Sequence, residues 1–341
     1  MLDPATRIAV AGAGSIGCYA GGCLALAGRQ VTLLARPRII EAVGQAGLMI
    51  VDLNGSERKL APSALAASAK PAEAFAGAGL VLVTVKSGDT VEMAESIAHH
   101  APSDATVVSL QNGTSNAARL RQLLPVTQRV VAGMVPFNVI QDEMTDGSLV
   151  FRRTTSGEIH VEANVPGLVE LLDVVGFQAA PAADMTAVLW GKLILNLGNA
   201  INALSGLPLA EQLADRRWRS LFATQMDEAL AVMRRAGIKP VAIGPLRPAL
   251  LPYVLRLPDF LFRLLAGRMV AVDPKARSST LQDLDRRRRT ETDEFQGAIV
   301  RLAEQVGMAA PLSRLVLEKI RAAEAAGKGS PQLTPDDLRL P

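Results

Sequence analysis

The feature that most constrains the fold of this chain is a glycine-rich loop close to its N-terminus, Gly12-Ala-Gly14-Ser15-Ile16-Gly17. Loops with this spacing connect a strand to a helix in the βαβ units that bind dinucleotides. The glycines let the backbone approach a pyrophosphate, and the N–H groups at the start of the helix bind its negative charge. We therefore expect these residues to bind a dinucleotide cofactor. Glycine-rich loops are common, so the flanking sequence decides between interpretations.

The residues on both sides of the loop fit such a unit. Arg7–Ala11 predicts a short apolar strand, and Ser15–Ala27 predicts a helix that Gly28 ends as a C-terminal cap. A second strand is predicted at Gln30–Ala35. The alternative is a membrane span, because the run from Ile8 to Gly28 carries no charge and is long enough to cross a bilayer. The glycine density and the strand pattern favour the βαβ unit, so we predict no membrane partner.

The identity of the cofactor is indicated by Arg36, which ends the second predicted strand nineteen residues after Gly17. An Asp or Glu in this position would bond the ribose 2′-hydroxyl of NAD, whereas an arginine can pair with the 2′-phosphate of NADP. We predict NADP(H) as the cofactor.

Composition excludes several classes of protein. The chain has 341 residues, 49% of them hydrophobic, which is enough for two domains with sizeable cores. Aromatic residues make up only 4% and the formal net charge is +3, so nucleic-acid binding is not expected. Cys18 and Cys23 lie five residues apart on the first helix and face different sides, so we expect no disulfide and a cytoplasmic protein. We predict no metal site.

Three further apolar runs predict strands of a parallel sheet that is covered on both faces. They are Gly79–Val85, Ala105–Leu110 and Arg129–Gly133. Lys86 follows the first of them, and Asn112, in a Gln-Asn-Gly sequence, follows the second. A plain turn is the alternative for Asn112. Because ligands bind beyond the carboxyl ends of parallel strands, the convergence of these loops favours a ligand-binding role for both residues.

The sequence pattern changes after Asp184, where long helical segments replace the short strands. We predict an α/β N-terminal domain with a Rossmann-type parallel sheet over residues 1–182, which binds NADP. An all-α C-terminal domain over residues 183–327 would carry the substrate and catalytic residues, and residues 328–341 would form a frayed tail. The stretch from Val135 to Val161 contains strand-like pieces that could extend the sheet.

The first helix of the predicted C-terminal domain carries an unusual polar row. Lys192, Asn196 and Asn199 are spaced i, i+4 and i+7, so they share one face of a largely apolar helix. Interhelical hydrogen bonding is the alternative explanation for the two asparagines. The lysine favours a functional site, because a partly buried ammonium has a lowered pKa and can donate a proton near neutral pH.

Two later segments combine a helix start with a polar side chain of chemical interest. Ser279 has the spacing of a capping box with Gln282, and Thr290 would cap a helix with Glu291 at its first position. A helix cap at Ser279 and a favourable charge on the helix dipole at Glu291 are therefore the structural alternatives. The functional alternative is that both side chains bind substrate.

Taken together, these residues resemble those of a known family, the ketopantoate reductases (2-dehydropantoate 2-reductases). The resemblance covers nearly the whole chain and includes the glycine loop and the Lys86 and Asn112 segments. Its most specific parts are three motifs in order: Trp190-x-Lys192-Leu-x-x-Asn196, Ser278-Ser279-x-Leu-Gln-Asp283, and Thr290-Glu291-x-Asp293 followed by Gly297.

The resemblance implies that the chain is an oxidoreductase of pantothenate biosynthesis, which uses NADPH to reduce ketopantoate to pantoate. It implies that Lys192, Asn196 and Glu291 are the catalytic residues. Lys192 would protonate or polarise the alkoxide, and Glu291 would bind a substrate hydroxyl. The implied substrate contacts are Asn112, Lys192, Asn196, Asn199, Ser279 and Glu291. The resemblance also implies that Lys86 and Asn112 bind the cofactor.

Three departures from the family pattern keep other functions open. The family's second active-site asparagine falls at Ala200, and Asn199 and Asn202 compete to replace it. The segment from Pro240 to Pro274 is longer and more apolar than is typical, and Phe151-Arg-Arg-Thr154 replaces a histidine-glycine pattern. One alternative is a related NADP-dependent dehydrogenase that acts on another keto or hydroxy acid. A second, from a different class, is a non-catalytic NADP-binding sensor. A homodimer is one alternative for the assembly.

Overall fold

The computed structural model describes residues 2–144, 147–266 and 276–340. The chain forms two compact units, an N-terminal unit (Met1–Met185) and a C-terminal unit (Thr186–Pro341).

The N-terminal unit combines strands with helices. The strands are β1 (Ile8–Ala11), β2 (Val31–Leu34), β3 (Leu48–Val51), β4 (Glu57–Leu60), β5 (Ala66–Ser68), β6 (Leu80–Val83), β7 (Thr106–Ser109), β8 (Arg129–Met134), β9 (Val139–Glu143), β10 (Leu149–Arg153), β11 (Ile159–Glu162) and β12 (Ala179–Ala182). The α-helices are α1 (Ser15–Leu26), α2 (Pro37–Ala46), α3 (Pro71–Ala74), α4 (Thr90–His100), α5 (Asn116–Leu123) and α6 (Leu168–Leu172), with 3-10 turns at Pro62–Ala64 and Ser87–Asp89.

Eight of these strands form the main sheet, in the order β12-β11-β8-β7-β6-β1-β2-β5. The central pairs are parallel, and only β11 runs antiparallel to its neighbour β8. Every residue of β1, β6 and β7 is buried, as expected of strands covered on both faces. The prediction of an α/β N-terminal domain with a parallel Rossmann-type sheet is confirmed.

A second sheet was not predicted. Its order is β4-β3-β10-β9, and β10 pairs parallel with β3 and antiparallel with β9. Of the strand-like pieces that were expected between Val135 and Val161, β11 extends the main sheet, whereas β9 and β10 belong to the second sheet. Burial of Phe151 opposite Ile50 explains why β10 pairs with β3, since both side chains lie in the core. Arg153 is also buried and donates to the carbonyls of Thr155 and Gly176, so it holds the structure of this region together.

Helix α1 begins at Ser15 as predicted and ends at Leu26, one residue earlier than predicted. Its last turn closes with the N–H of Gly28 donating to the Ala25 carbonyl and the N–H of Arg29 donating to the Leu24 carbonyl. Gly28 has a φ of 78°, which is the left-handed conformation this C-terminal cap requires. No helix of the described residues is both long and apolar enough to span a membrane, and the run from Ile8 to Gly28 is divided between β1 and α1.

The cysteines of α1 are both free and buried. Burial raises the pKa of the Cys18 thiol to about 12 and that of the Cys23 thiol to about 11. Both thiols therefore stay protonated near neutral pH and act as apolar core groups.

The elements described in the C-terminal unit are all helical, which confirms the second part of the predicted fold. They are α7 (Met185–Ser205), α8 (Leu209–Ala214), α9 (Arg216–Arg235), α10 (Leu251–Leu255), α11 (Asp259–Ala266), α12 (Ser279–Asp285), α13 (Thr292–Gln305) and α14 (Pro311–Ala326), with 3-10 turns at Pro248–Leu250 and Pro335–Leu338. Apolar faces of α7, α9, α13 and α14 supply most of the core.

The C-terminal segment is packed, so the prediction of a frayed tail over residues 328–341 is wrong for the described residues up to 340. The N–H of Leu333 donates to the Leu204 carbonyl at 2.8 Å, and the Leu338 side chain is completely buried. Thr334 forms a reciprocal capping box with Asp337, which fixes the last turn. An apolar anchor and a helix cap together explain why this polar, proline-rich stretch is ordered.

The segment from Pro240 to Pro274 is described up to residue 266, and residues 267–274 lie outside the described part of the chain. Helices α10 and α11 pack on α9 through Arg219, whose guanidinium donates to the Leu255 and Leu257 carbonyls and pairs with Asp259 at 2.8 Å. Arg219 is almost completely buried, so this segment is an integral part of the C-terminal unit.

Candidate functional site

The glycine loop follows β1 directly, and its three glycines differ in what surrounds them. A Cβ on Gly12 would lie 2.6 Å from a methyl group of Val85, and a Cβ on Gly17 would collide with the Gly12 carbonyl oxygen. Thr84 fixes that carbonyl, because its hydroxyl donates to it at 2.6 Å. Gly12 and Gly17 are therefore required by the packing of the loop itself.

Gly14 is different, because a Cβ there would meet no atom within 4 Å. It is the N-cap of α1, and Ser15 and Ile16 form the first turn. Open space beside the N–H groups at the start of a helix is the arrangement that receives a phosphate. The loop therefore fits a pyrophosphate at Gly14 and the first turn of α1.

Arg36 lies just beyond the carboxyl end of β2 and is the N-cap residue of α2. Its side chain is exposed. Strand β2 is the parallel neighbour of β1, so the arginine belongs to the same edge of the sheet as the glycine loop. This placement fits an exposed cation that binds a phosphate group next to the loop.

Lys86 and Asn112 follow β6 and β7, which lie side by side next to β1 in the sheet. Lys86 is exposed and Asn112 is half-buried. The three loops after β1, β6 and β7 therefore share one edge of the sheet. The structure brings together all the cofactor-binding candidates that sequence analysis placed in the N-terminal unit.

Sequence analysis missed a buried polar cluster beneath Lys86 and Asn112. It consists of Ser87, Thr90, Gln111 and Asn116, each at most 6% exposed. Asn116 Nδ2 donates to the Asn112 carbonyl at 2.6 Å and to Ser87 Oγ at 2.9 Å. The signal that could have revealed it is the density of hydroxyl and amide residues directly after two fully apolar strands.

In the C-terminal unit, α7 carries the predicted polar row. Lys192, Asn196 and Asn199 are each half-buried, whereas Leu193 and Leu197 are almost completely buried. The helix therefore packs its apolar side into the core and leaves the polar row on its more accessible side.

Asn199 and Asn202 differ in their surroundings. Asn202 is completely buried, and its side-chain oxygen accepts from the N–H of Ser278 at 3.0 Å. Its amide nitrogen donates to Gln212 Oε1 at 3.0 Å and to the Leu207 carbonyl at 2.9 Å. Asn202 thus anchors the start of α12 to α7, whereas Asn199 is half-buried.

The interpretation of Ser279 as a helix cap is wrong. The N-cap of α12 is Ser278, whose Oγ accepts from the N–H of Leu281 at 3.2 Å and donates to the Asn199 carbonyl at 3.0 Å. Ser279 is the first helical residue and is exposed. Because Ser278 takes the capping role, the hydroxyl of Ser279 is accessible to a ligand.

Helix α13 begins one residue later than predicted. Its first residue is Thr292, and Glu291 is the N-cap residue, with no capping hydrogen bond from its side chain. Thr290 still satisfies the helix start, since its hydroxyl oxygen accepts from the N–H of Thr292 at 3.3 Å. The half-buried carboxylate of Glu291 is therefore not the group that caps the helix.

Glu291 acts electrostatically on Lys192. Burial lowers the pKa of the Lys192 ammonium to about 8, and the nearby carboxylate of Glu291 opposes this shift. A lysine with a pKa near neutrality can hold and release a proton under physiological conditions. Gln296, five residues after Glu291, donates to the Leu197 carbonyl at 2.9 Å and so ties α13 to α7. The C-terminal unit thus brings together an ammonium group on α7 and a carboxylate at the start of α13.

Among the residues that the structure describes, no group of three or more His, Cys, Asp and Glu side chains is arranged to hold a metal ion.

Comparison with known proteins gives a consistent family assignment. The family model described as "Ketopantoate reductase PanE/ApbA" matches residues 8–165, and the model of its C-terminal domain matches residues 184–324. A 2-dehydropantoate 2-reductase of Archaeoglobus fulgidus is 27% identical over 94% of this chain and 98% of its own length.

Solved structures agree with that assignment. A PanE/ApbA family ketopantoate reductase from Ralstonia eutropha JMP134 is 32% identical with a TM-score of 0.78, and the match covers 95% of this chain and all of that one. A D-mandelate dehydrogenase solved with NADH and anilino(oxo)acetate is 20% identical with a TM-score of 0.74, over 94% of this chain and 99% of that one, and shares the fold.

Proposed function

The chain belongs to the ketopantoate reductase family, and from this premise we propose that it reduces ketopantoate to pantoate with NADPH. The observation that carries the proposal is the Lys192–Glu291 pair in the C-terminal unit, where burial lowers the lysine pKa to about 8. Hydride addition to a ketone leaves negative charge on oxygen, and a positioned ammonium stabilises that charge and supplies the proton.

The N-terminal unit would hold the cofactor. Gly12 and Gly17 shape the loop, and Gly14, Ser15 and Ile16 present the open helix start to the pyrophosphate. The exposed guanidinium of Arg36 would bind the 2′-phosphate, which selects NADPH over NADH. Lys86 and Asn112 would bind near the nicotinamide. When bound, the cofactor supplies the hydride.

The residues of the C-terminal unit would divide the remaining tasks. The Lys192 ammonium donates its proton to the developing alkoxide. Asn196, Asn199 and the accessible hydroxyl of Ser279 orient the keto acid, and Asn112 of the N-terminal unit is also a substrate contact. Glu291 accepts a hydrogen bond from the substrate hydroxyl.

A second candidate substrate is a 2-keto acid without that hydroxyl. One observation favours it: Ala200, at the family's second asparagine position, is completely buried and offers no hydrogen bond. The reaction and the role of Lys192 would be the same for such a substrate.

The test is NADPH oxidation with ketopantoate and with its analogue that lacks the terminal hydroxyl. A buried site built to bond a hydroxyl discriminates strongly against analogues without it. We expect ketopantoate to be preferred at least about tenfold in kcat/KM, and Glu291→Ala to remove most of this preference. Equal kcat/KM for the two compounds in the parent enzyme would reject ketopantoate and support the second candidate. No turnover of any 2-keto acid would reject the reductase.

A further inference from the structure

The buried cluster of Ser87, Thr90, Gln111 and Asn116 is placed where two ligand-binding loops meet. Ser87 and Thr90 belong to the segment after β6, and Gln111 and Asn116 belong to the segment after β7. The cluster therefore joins the loop of Lys86 to the loop of Asn112 through side chains.

The bonds of the cluster fix the main chain next to both candidate residues. Gln111 Nε2 donates to the Val85 carbonyl at 3.1 Å, immediately before Lys86. Asn116 Nδ2 donates to the carbonyl of Asn112 itself at 2.6 Å, and Ser87 Oγ donates to the same oxygen at 3.3 Å.

Thr90 connects the two amides. Its hydroxyl accepts from Gln111 Nε2 at 2.8 Å and lies 3.1 Å from Asn116 Oδ1. Gln111 Oε1 in turn accepts from Ser109 Oγ at 3.1 Å. The polar atoms of both amides are thus satisfied, and fully satisfied buried networks rigidify the segments that they join.

A buried glutamine elsewhere in the same unit provides a comparison. Gln128 precedes β8, so it lies towards the opposite edge of the main sheet, and it is 3% exposed. Its Nε2 donates to the Pro102 carbonyl at 3.1 Å, but its Oε1 has no hydrogen-bond partner. A glutamine can therefore be buried in this unit with only one of its two polar atoms hydrogen-bonded. Gln111 differs from Gln128 in that both of its polar atoms are bonded.

We propose that Gln111, Thr90 and Asn116 are positioning residues, which hold Asn112 and Lys86 in the geometry that binds cofactor and substrate. The inference rests on the proposed roles of Asn112 and Lys86 in reduction of a keto acid. The three residues act through main-chain carbonyls and do not touch the reacting atoms.

The experiment is a double-mutant cycle between Asn116 and Asn112. Asn116→Ala should lower kcat/KM for the keto acid by about tenfold to a hundredfold, because small displacements of a positioning group have effects of this size. In an Asn112→Ala background the same change should cost less than about threefold, since the group that it positions is gone. Equal fold losses in both backgrounds would overturn the proposal.

Paired glutamine variants separate positioning from stability. Gln111→Leu and Gln128→Leu should both lower the melting temperature, but only Gln111→Leu should lower kcat/KM. Thr90→Val keeps the shape of the side chain and removes the hydroxyl, so it should lower kcat/KM. Thr90→Ser keeps the hydroxyl and should have a kcat/KM close to that of the parent. A Thr90→Val or Gln111→Leu protein that folds and keeps the parent kcat/KM and NADPH affinity would reject positioning.

NADPH affinity keeps this test distinct from the test of the proposed function. The network variants should raise the NADPH Kd by at least about threefold, within the range of coupling between contacting residues, and Gln128→Leu should leave it unchanged. If no keto acid is reduced but the Kd shift is present, the proposed reaction fails and the positioning role stands. If the parent reduces a keto acid but the network variants change neither kcat/KM nor the NADPH Kd, only the positioning role fails.

Discussion

The two units use different means to present chemical groups. The N-terminal unit relies on backbone geometry: strand β1 ends in a loop whose Gly12 and Gly17 have no room for a Cβ, while Gly14 faces open space. The C-terminal unit relies on side chains spread over three helices, with Lys192 on α7, Ser279 on α12 and Glu291 preceding α13. In the proposed function, the first unit would select the cofactor and the second would carry the chemistry.

The largest expected effect tests the proposed catalytic role of the side chains in the C-terminal unit. Lys192→Met should lower kcat by roughly two to four orders of magnitude, because it removes the proton donor while keeping much of the side-chain volume. Lys319→Met, which changes an exposed lysine on α14, is the matched control and should have no effect. Steady-state kinetics of both variants check the prediction. A folded Lys192→Met enzyme with the parent kcat would show that the lysine is structural.

Alanine substitutions within the glycine loop test whether the N-terminal unit depends on backbone geometry. Gly17→Ala should destabilise the fold by about 1–3 kcal/mol, because the new Cβ meets the Gly12 carbonyl. Gly14→Ala should change stability by no more than about 1 kcal/mol, yet weaken NADPH binding, since its methyl group would enter the open space at the helix start. Denaturant unfolding and NADPH titration separate the two. If Gly14→Ala binds NADPH as tightly as the parent does, the open space at Gly14 is not where the cofactor binds.

Cofactor choice gives a smaller effect. Arg36→Ala should remove about 1.5–3 kcal/mol of NADPH binding, the typical value of a charge-assisted hydrogen bond, and leave NADH binding unchanged. Arg38, which is exposed on α2 and pairs with Glu143, provides the control substitution Arg38→Ala. Titration of each protein with both cofactors measures the preference. Equal affinity of the parent for NADH and NADPH would remove the basis for this role.

The smallest expected effect is a shift of a pH profile. Lys192 must be protonated to act as an acid, so kcat should fall as the pH rises through the lysine pKa of about 8. Glu291 raises that pKa, because its negative charge favours the ammonium form. Glu291→Gln should therefore move the basic limb of the kcat profile to lower pH. A limb that stays in place, or moves to higher pH, would contradict coupling between these residues.

The same contrast explains how much could be predicted from sequence. The glycine loop and the row of Lys192, Asn196 and Asn199 follow short-range periodicity, so their spacing alone identifies them. The cap at Ser278 was missed by one residue, because Ser278 and Ser279 are adjacent serines and either residue type can cap a helix. The structure distinguishes them, since Ser278 Oγ accepts from the N–H of Leu281 and donates to the Asn199 carbonyl.

Features that depend on distant pairing were not predictable in this way. The second sheet joins β3 to β10 across about a hundred residues of chain, and no local pattern specifies that partner. The cluster around Asn116 combines residues from two loops, and its members look like ordinary helix-start residues until the sheet brings them together. The C-terminal segment was predicted to be a frayed tail, but the buried Leu338 anchors it.

The most direct test of the account is to measure NADPH affinity and keto-acid turnover together for Arg36→Ala and Lys192→Met. We predict a reciprocal result. Arg36→Ala should weaken NADPH binding and retain most of the parent kcat at saturating NADPH, whereas Lys192→Met should bind NADPH like the parent and lose turnover. Loss of both properties in Lys192→Met, or an unchanged NADPH Kd in Arg36→Ala, would contradict the assignment of cofactor selection to one unit and proton donation to the other.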